Sequence, residues 1–224
     1  MYPNPESITR VTSIGAGPIG AGWTAHFLAR GYDVTAYLHA ASETDAFMSI
    51  LKTAWISLTD LGLAPGASLD RLRISTDLED ALAGAEFVQE SGPERLDIKQ
   101  ALYARMGAIL SPSVVIGSST SGLMMSDIQA DCPTPERTVI GHPFNPPYLL
   151  PLVEIVGGKK TAPEAVVWAG EFYKIAGKAP LMMKKEIPGF VATRLQEALW
   201  REALHMVANG EATPEDIDIA LMNG

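Results

Sequence analysis

The 224-residue sequence predicts an α/β fold in which a doubly wound, largely parallel sheet is followed by the start of an all-α segment. Two observations support this prediction. Apolar runs of strand length alternate with stretches of helical period along most of the chain, and from Pro188 onward only helical spacing remains. Alternating strands and helices are typical of a parallel sheet covered on both faces. We therefore assign residues 1–187 to an α/β domain and residues 188–224 to the beginning of a helical C-terminal domain.

Strands are predicted where short runs rich in Val, Ile and Leu lie between turn residues or helical stretches. The eight predicted strands cover residues 11–15, 33–38, 73–76, 87–91, 114–119, 138–142, 152–156 and 179–183.

Helices are predicted where apolar residues recur at helical spacing, and two of them carry clear start signals. Pro163 and Glu164 suit the first turn of one helix, and Thr213 followed by Pro214 suits the cap and first turn of another. The predicted helices cover residues 18–30, 42–61, 94–109, 163–176 and 189–208, with a further helix starting at Thr213.

The composition limits the possible functions. A formal net charge of -9 argues against binding to a nucleic-acid backbone. Cys132 is the only cysteine, so an internal disulfide is impossible. The N-terminus has no secretory pattern, and no apolar run approaches the ~20 residues of a membrane span. We expect a cytoplasmic protein with neither a nucleic-acid nor a membrane partner.

A glycine-rich turn between the first strand and the first helix predicts a dinucleotide site in a Rossmann-type domain. The pattern G-x-G-x-x-G permits a tight turn, a close approach of the backbone to a pyrophosphate, and close packing of the helix on the strand. The residues predicted to bind the cofactor here are Gly15, Ala16, Gly17, Pro18, Ile19 and Gly20.

The end of the second strand lacks the acid that normally binds the adenosine ribose. Leu38 stands at that position, and this loss lowers the expected affinity by about one to two decades. The following segment contains no Arg or Lys, and Glu43 and Asp45 would repel a 2′-phosphate, so we favour NAD over NADP. His39 is interpreted as a solvated loop residue.

Three polar segments follow or adjoin later strands and together suggest a proton-transfer site. Ligands in open parallel sheets collect beyond the carboxyl ends of the strands. His142 is the candidate base for removing a hydroxyl proton, Glu154 could orient its ring if their strands adjoin, and Ser121 could bind the reacting oxygen.

Five ordered motifs give a specific resemblance. "GAGPIG", "QESGPERLDIK", "SSTSGL", "GHPFNPPYLLPLVEIVGG" and "KEIPGFVATRL" resemble the 3-hydroxyacyl-CoA dehydrogenase superfamily over nearly the whole chain. The resemblance implies that Ser121, His142 and Glu154 are catalytic. It also implies that the ribose and nicotinamide ends of NAD are held by Glu94, Lys99, Ser119 and Asn145.

The chain departs from the family pattern in three respects. Leu38 replaces the family's ribose-binding Asp, and Thr193 replaces an Asn that helps to position the reacting group in many members. The helical domain of the family also extends beyond the position of Gly224. We therefore expect residues 188–224 to be a truncated helical domain that docks on the first domain, on another subunit or on further sequence. Its apolar residues, left without partner helices, favour self-association as a homodimer.

The substrate is expected to be a small free hydroxy acid. The segment after the second strand contains only Lys52, Arg71 and Arg73, too few cations for the phosphates of coenzyme A. Within the superfamily the chain most resembles the branch that acts on small acids such as carnitine and L-gulonate. Carnitine is favoured, with Phe144 and Tyr148 as aromatic partners for its trimethylammonium group.

Further substrate contacts are less specific. Thr193 is a candidate through the family pattern, and Arg194 or Arg201 could bind a carboxylate. Phe190 and Trp200 could also face a trimethylammonium group, but we expect both to pack in a helical core.

The leading hypothesis is an NAD-dependent dehydrogenase that oxidises the 3-hydroxyl of a carnitine-like acid. The alternatives are a 3-hydroxyacyl-CoA dehydrogenase, an L-gulonate dehydrogenase, and a non-catalytic, crystallin-like protein that retains only the fold and weak cofactor binding.

Overall fold

A computed structural model describes residues 2–224 and divides them into two compact units, the first ending at Glu186 and the second covering Ile187–Gly224. All eight predicted strands are present in one sheet of order β3-β2-β1-β4-β5-β6-β7-β8. This confirms the doubly wound α/β fold. The strands are β1 Arg10–Ile14, β2 Asp33–Tyr37, β3 Leu72–Ser75, β4 Phe87–Glu90, β5 Val115–Ser118, β6 Thr138–Pro143, β7 Leu152–Gly157 and β8 Ala179–Met182.

One pair in this sheet is antiparallel. Strand β7 runs opposite to β6, whereas every other neighbouring pair is parallel. Residues 144–151 connect the two strands without a helix, and such a short connection cannot make a parallel crossover. The reversal brings residues near the middle of β7 beside the carboxyl end of β6.

The predicted helices are present with shorter ends, together with two short helices that the sequence did not predict, Leu78–Leu82 and Met125–Ile128. The helix predicted from residue 189 begins only at Ala192, because Gly189 and Phe190 have positive φ angles of 71° and 49°. The helices are α1 Pro18–Ala29, α2 Thr44–Leu61, α3 Leu78–Leu82, α4 Leu96–Ile109, α5 Met125–Ile128, α6 Pro163–Ile175, α7 Ala192–Ala208 and α8 Pro214–Asn223.

Helix α1 is fixed by an aromatic cluster that it shares with the sheet and α6. Trp23 and Phe27 stack with their ring centres 5.2 Å apart, and both are fully buried. Phe87 of β4 and Phe172 of α6 extend the cluster with a separation of 4.3 Å. This packing holds the N-terminus of α1 at the carboxyl end of β1, where the glycine-rich turn lies.

The second unit consists of α7 and α8. Thr213 caps α8 as predicted, since its side chain accepts a hydrogen bond from the Asp216 amide at 3.2 Å. Trp200 is 60% exposed in α7, so the prediction that it packs in a core is wrong. Phe190 is buried but precedes α7 rather than lying within it. None of the helices described in residues 2–224 is long and apolar enough to cross a membrane.

Candidate active site at the carboxyl edge of the sheet

The glycine-rich turn forms a cradle suited to a pyrophosphate. A Cβ atom at Gly15 would lie 2.4 Å from the Ser91 carbonyl oxygen, and one at Gly20 would lie 2.1 Å from the Gly15 carbonyl oxygen. Gly17 caps α1 with no side-chain hydrogen bond, and the space where its Cβ would project is open within 4 Å. The amides at the start of α1 are therefore left to an anion, and the chain fits a dinucleotide at this turn.

The ribose end of this cradle differs from the usual pattern. Leu38 is fully buried in the core, so its side chain is turned away from any cofactor. Glu43 lies beside it, and its carboxylate accepts hydrogen bonds from the amides of His39 at 2.9 Å and Ala40 at 3.3 Å. His39 is exposed, as expected of a solvated loop residue. A carboxylate thus remains at the end of β2, supplied by Glu43.

A buried ion pair beneath the site involves a residue that the sequence interpretation missed. Lys99 is 1% exposed and donates to the Oε1 atom of Glu90 at 2.7 Å. Glu90 also accepts from the Ser118 hydroxyl at 2.7 Å and the Gly92 amide at 2.6 Å. Lys99, predicted to hold the ribose end of NAD, therefore has its ammonium group on Glu90. The signal for Glu90 was an acid at the carboxyl end of a predicted strand, where ligands of open parallel sheets collect.

Glu94 organises the loop that carries Ser121. Its Oε1 atom accepts from the Thr120 hydroxyl and from the backbone amides of Ser121 and Gly122, both at 3.0 Å. Its Oε2 atom lies 3.9 Å from the Lys99 ammonium nitrogen. The structure thus brings together Glu94, Lys99 and the Ser121 loop, and it leaves the Ser121 side chain exposed.

Ser119 lies in a polar network that reaches back into the core. Its hydroxyl oxygen accepts from Trp23 Nε1 at 3.2 Å and Gln89 Nε2 at 2.8 Å, and it lies 2.8 Å from the Ser91 hydroxyl. Tyr173 donates to the Gln89 amide oxygen at 2.5 Å, and burial raises the pKa of Tyr173. Ser119 therefore has a fixed orientation before any ligand binds.

His142 and Glu154 form a buried pair. The Nδ1 atom of His142 lies 2.8 Å from Oε2 of Glu154, and their side chains are 8% and 0% exposed. They are register partners across the antiparallel strands β6 and β7. The two strands adjoin, as the orienting role predicted for Glu154 requires. Glu154 lies within β7, inside the predicted strand 152–156, and reaches His142 because β7 is reversed.

The loop between β6 and β7 carries the remaining predicted contacts of the first unit. The Phe144 ring centre lies 5.3 Å from that of His142. Asn145 is exposed, and Tyr148 is half-buried. In the second unit, Thr193 lies in the first turn of α7, and Arg194 and Arg201 are exposed on the same helix.

A glycine cradle in a doubly wound sheet, with a histidine–carboxylate pair at its edge, defines the class of dinucleotide-dependent dehydrogenases. The comparisons with known proteins agree. Residues 10–187 match the family description "3-hydroxyacyl-CoA dehydrogenase, NAD binding domain", and residues 189–224 match the C-terminal domain of the same enzymes. The chain belongs to the 3-hydroxyacyl-CoA dehydrogenase family, and it is an NAD-dependent oxidoreductase of CH–OH groups.

Similar proteins include two curated relatives and one solved structure. The chain is 58% identical to L-carnitine dehydrogenase of Streptomyces coelicolor over 99% of its own length and 70% of the relative's. It is 50% identical to L-carnitine dehydrogenase of Pseudomonas putida over 99% of its length and 69% of the relative's. An NAD+-dependent 5-formyl-3-hydroxy-2-methylpyridine 4-carboxylic acid 5-dehydrogenase has a TM-score of 0.88 at 36% identity, covering 97% of this chain and 71% of that one.

Proposed function

We propose that this chain oxidises the 3-hydroxyl of L-carnitine with NAD to give 3-dehydrocarnitine. The observation that carries the chemistry is the buried hydrogen bond between His142 and Glu154. The substrate is supported by the relatives' activity and by the scarcity of cations after β2, which disfavours coenzyme A.

In this proposal His142 is the general base. Because Glu154 holds Nδ1 of His142, Nε2 takes the proton from the substrate hydroxyl oxygen while the hydride leaves the carbon that bears this hydroxyl. NAD, when bound, supplies the hydride acceptor. Glu154 stabilises the imidazolium that forms, and the Ser121 hydroxyl orients the reacting oxygen. The alcohol loses one proton and one hydride and becomes a ketone.

The cofactor is proposed to lie along the carboxyl edge of the sheet. Gly15, Gly17 and Gly20 are proposed to receive the pyrophosphate, and Ser119, held by Gln89, is proposed to contact the nicotinamide end. Glu94 and Asn145 are the other proposed contacts of the ribose and nicotinamide groups, and the buried Lys99 acts on the site through Glu90 and Glu94.

The trimethylammonium end of the substrate needs an aromatic partner. The aromatic faces of Phe144 and Tyr148 suit this group, because a cation is attracted to the face of an aromatic ring.

The assembly and location are also proposals. We propose a cytoplasmic homodimer, supported by the single cysteine and by exposed apolar residues of α7, such as Leu195 at 67% and Leu199 at 50% exposure. Light scattering of the purified chain tests the dimer, and a monomer at micromolar concentration would contradict it.

The decisive experiment follows NADH formation by the purified chain with NAD and, separately, L-carnitine, D-carnitine, L-gulonate and 3-hydroxybutyryl-CoA. We expect L-carnitine to have the highest kcat/KM, and we expect the His142→Ala variant to lose about 10²–10⁴-fold in turnover. A preference for the CoA thioester would overturn the substrate assignment.

The departures at Leu38 and Thr193 concern cofactor affinity and the positioning of the reacting group. Titrations with NADH and NADPH, followed by quenching of the four tryptophans, measure the effect on the cofactor. We expect NADH to bind clearly more tightly than NADPH, and equal affinities would contradict the preference for NAD.

A further inference from the structure

Lys178 is a buried lysine outside the site described above. It lies between α6 and β8 and is 7% exposed. Burial and the nearby Arg30 lower its pKa to about 7. None of the salt bridges found within residues 2–224 involves Lys178. Burying a lysine without a carboxylate is unfavourable, so the contacts that it makes must compensate.

The contacts of Lys178 join helix α1, which follows the glycine turn, to the loop between β6 and β7, which follows His142. The Lys178 ammonium group donates to the carbonyl oxygens of Pro147 and, at 3.3 Å, Leu150, both in the loop between β6 and β7. The same nitrogen lies 5.0 Å from the centre of the Trp23 indole ring in α1. Trp23 in turn donates to Ser119. Lys178 therefore bridges the helix that follows the glycine turn and the loop that follows His142.

The bridged loop has few other backbone bonds of its own. The amides of Leu149 and Leu150 both donate to the Pro146 carbonyl at 3.0 Å, which makes a single turn. The loop also packs closely on α1, because a Cβ atom at Gly22 would lie 2.9 Å from Pro147 Cδ. Lys178 satisfies the carbonyls at the end of this turn, as a basic side chain does at the end of a helix.

We propose that Lys178 is a positioning residue that fixes the loop 144–150 against α1 and thereby sets Asn145 and Tyr148 relative to His142. The inference rests on the proposed function, since those residues are assigned there to the cofactor and substrate. A displacement of about 1 Å in such a loop lowers turnover by about 100-fold without removing any reacting group.

The test compares Lys178→Met, which keeps the length but removes the donors, with Lys178→Arg, which keeps a cation and N–H donors. Lys174→Met is the matched control, because Lys174 is exposed near the end of α6. We expect Lys178→Met to lower kcat by about 10- to 100-fold, with the Kd of NADH changed less than about threefold because the glycine turn is intact. Lys178→Arg should recover part of the loss, and the control should match the parent protein. All assays run well below each variant's melting temperature, so that loss of folded enzyme does not enter kcat.

A second measurement requires no turnover. Hydrogen exchange of the peptide covering residues 144–151, in the NADH complex, should become at least about tenfold faster at the Leu149 and Leu150 amides in Lys178→Met. Unchanged exchange would overturn the proposal even if kcat fell, and so would faster exchange with an unchanged kcat. If the parent protein fails to oxidise carnitine, the proposed function fails, while exchange still decides whether Lys178 holds the loop.

Discussion

Replacing Glu154 with Gln tests the proposed chemistry most directly. The Glu154 side chain is fully buried, and its Oε2 atom lies 2.8 Å from Nδ1 of His142, so the carboxylate acts on the imidazole at close range and away from bulk solvent. Gln keeps the size and an acceptor oxygen for Nδ1–H, but it removes the negative charge that stabilises the imidazolium formed during proton transfer. The substitution therefore isolates the electrostatic contribution.

The expected magnitude follows from two estimates. A hydrogen bond to a charged group contributes about 1.5–3 kcal/mol. Two opposite unit charges with their centres about 4 Å apart attract each other by about 4 kcal/mol at an effective dielectric constant of about 20. The rate of the chemical step should therefore fall by about 10- to 1000-fold.

The assay is the single-turnover rate of NADH formation with excess enzyme, because product release can hide a change in chemistry when kcat is measured. Glu171→Gln, at an exposed position of α6, is the matched control. The Kd of NADH should stay within about threefold of the parent value, as the pyrophosphate cradle is untouched. A single-turnover rate within about threefold of the parent's would refute the role assigned to the His142–Glu154 pair.

Three further outcomes are expected. Glu43→Ala should reduce the preference for NADH over NADPH by about threefold, because it removes a carboxylate that repels a 2′-phosphate at the end of β2. Paired fluorescence titrations with the two cofactors check this, and an unchanged ratio of their Kd values would contradict it. Between pH 9 and pH 7.5 the parent protein should lose up to about 1.4 kcal/mol of unfolding free energy per pH unit relative to Lys178→Met. The sign follows because burial and Arg30 lower the pKa of Lys178 to about 7 in the folded protein, so the unfolded chain binds more protons between pH 7.5 and pH 9. The pKa of buried His26 is also lowered, but a histidine in the unfolded chain is largely neutral in that pH range, so His26 adds little to the slope. Denaturation at several pH values measures the slope, and parallel curves would refute it. Arg137→Met should lower the unfolding free energy by about 3–5 kcal/mol, since the buried guanidinium donates to four backbone carbonyls that would lose their partner. Urea denaturation measures this difference, and a decrease of less than about 1 kcal/mol would contradict the prediction.

The sequence predicts the strands well because each is a short apolar run bounded by turns. It does not predict α3 or α5, since helices of five and four residues are too short to show a helical period. Nor does it predict the direction of β7, which depends on the connecting loop rather than on any strand residue. That direction decides how Glu154 reaches His142.

The site is predictable where a residue type is unusual for its surroundings. Glu154 interrupts an apolar run, and Glu90, an acid at the carboxyl end of a predicted strand, could have been singled out as the partner of Lys99. Leu38 shows the opposite case. The sequence reveals that an acid is missing there, but only the structure reveals that a carboxylate from Glu43 occupies the end of β2.

The arrangement of β7 explains why the catalytic pair and the core are specified together. Val153 and Ile155 belong to the hydrophobic core, while Glu154 between them points to the opposite face and meets His142. A register slip of one residue would exchange these faces, placing a carboxylate in the aromatic core and removing it from the imidazole. Burial of the two aliphatic side chains, worth about 1.5–3 kcal/mol each, thus also fixes the register that places Glu154. Substitutions of Val153 or Ile155 by polar residues should consequently reduce turnover and stability in parallel.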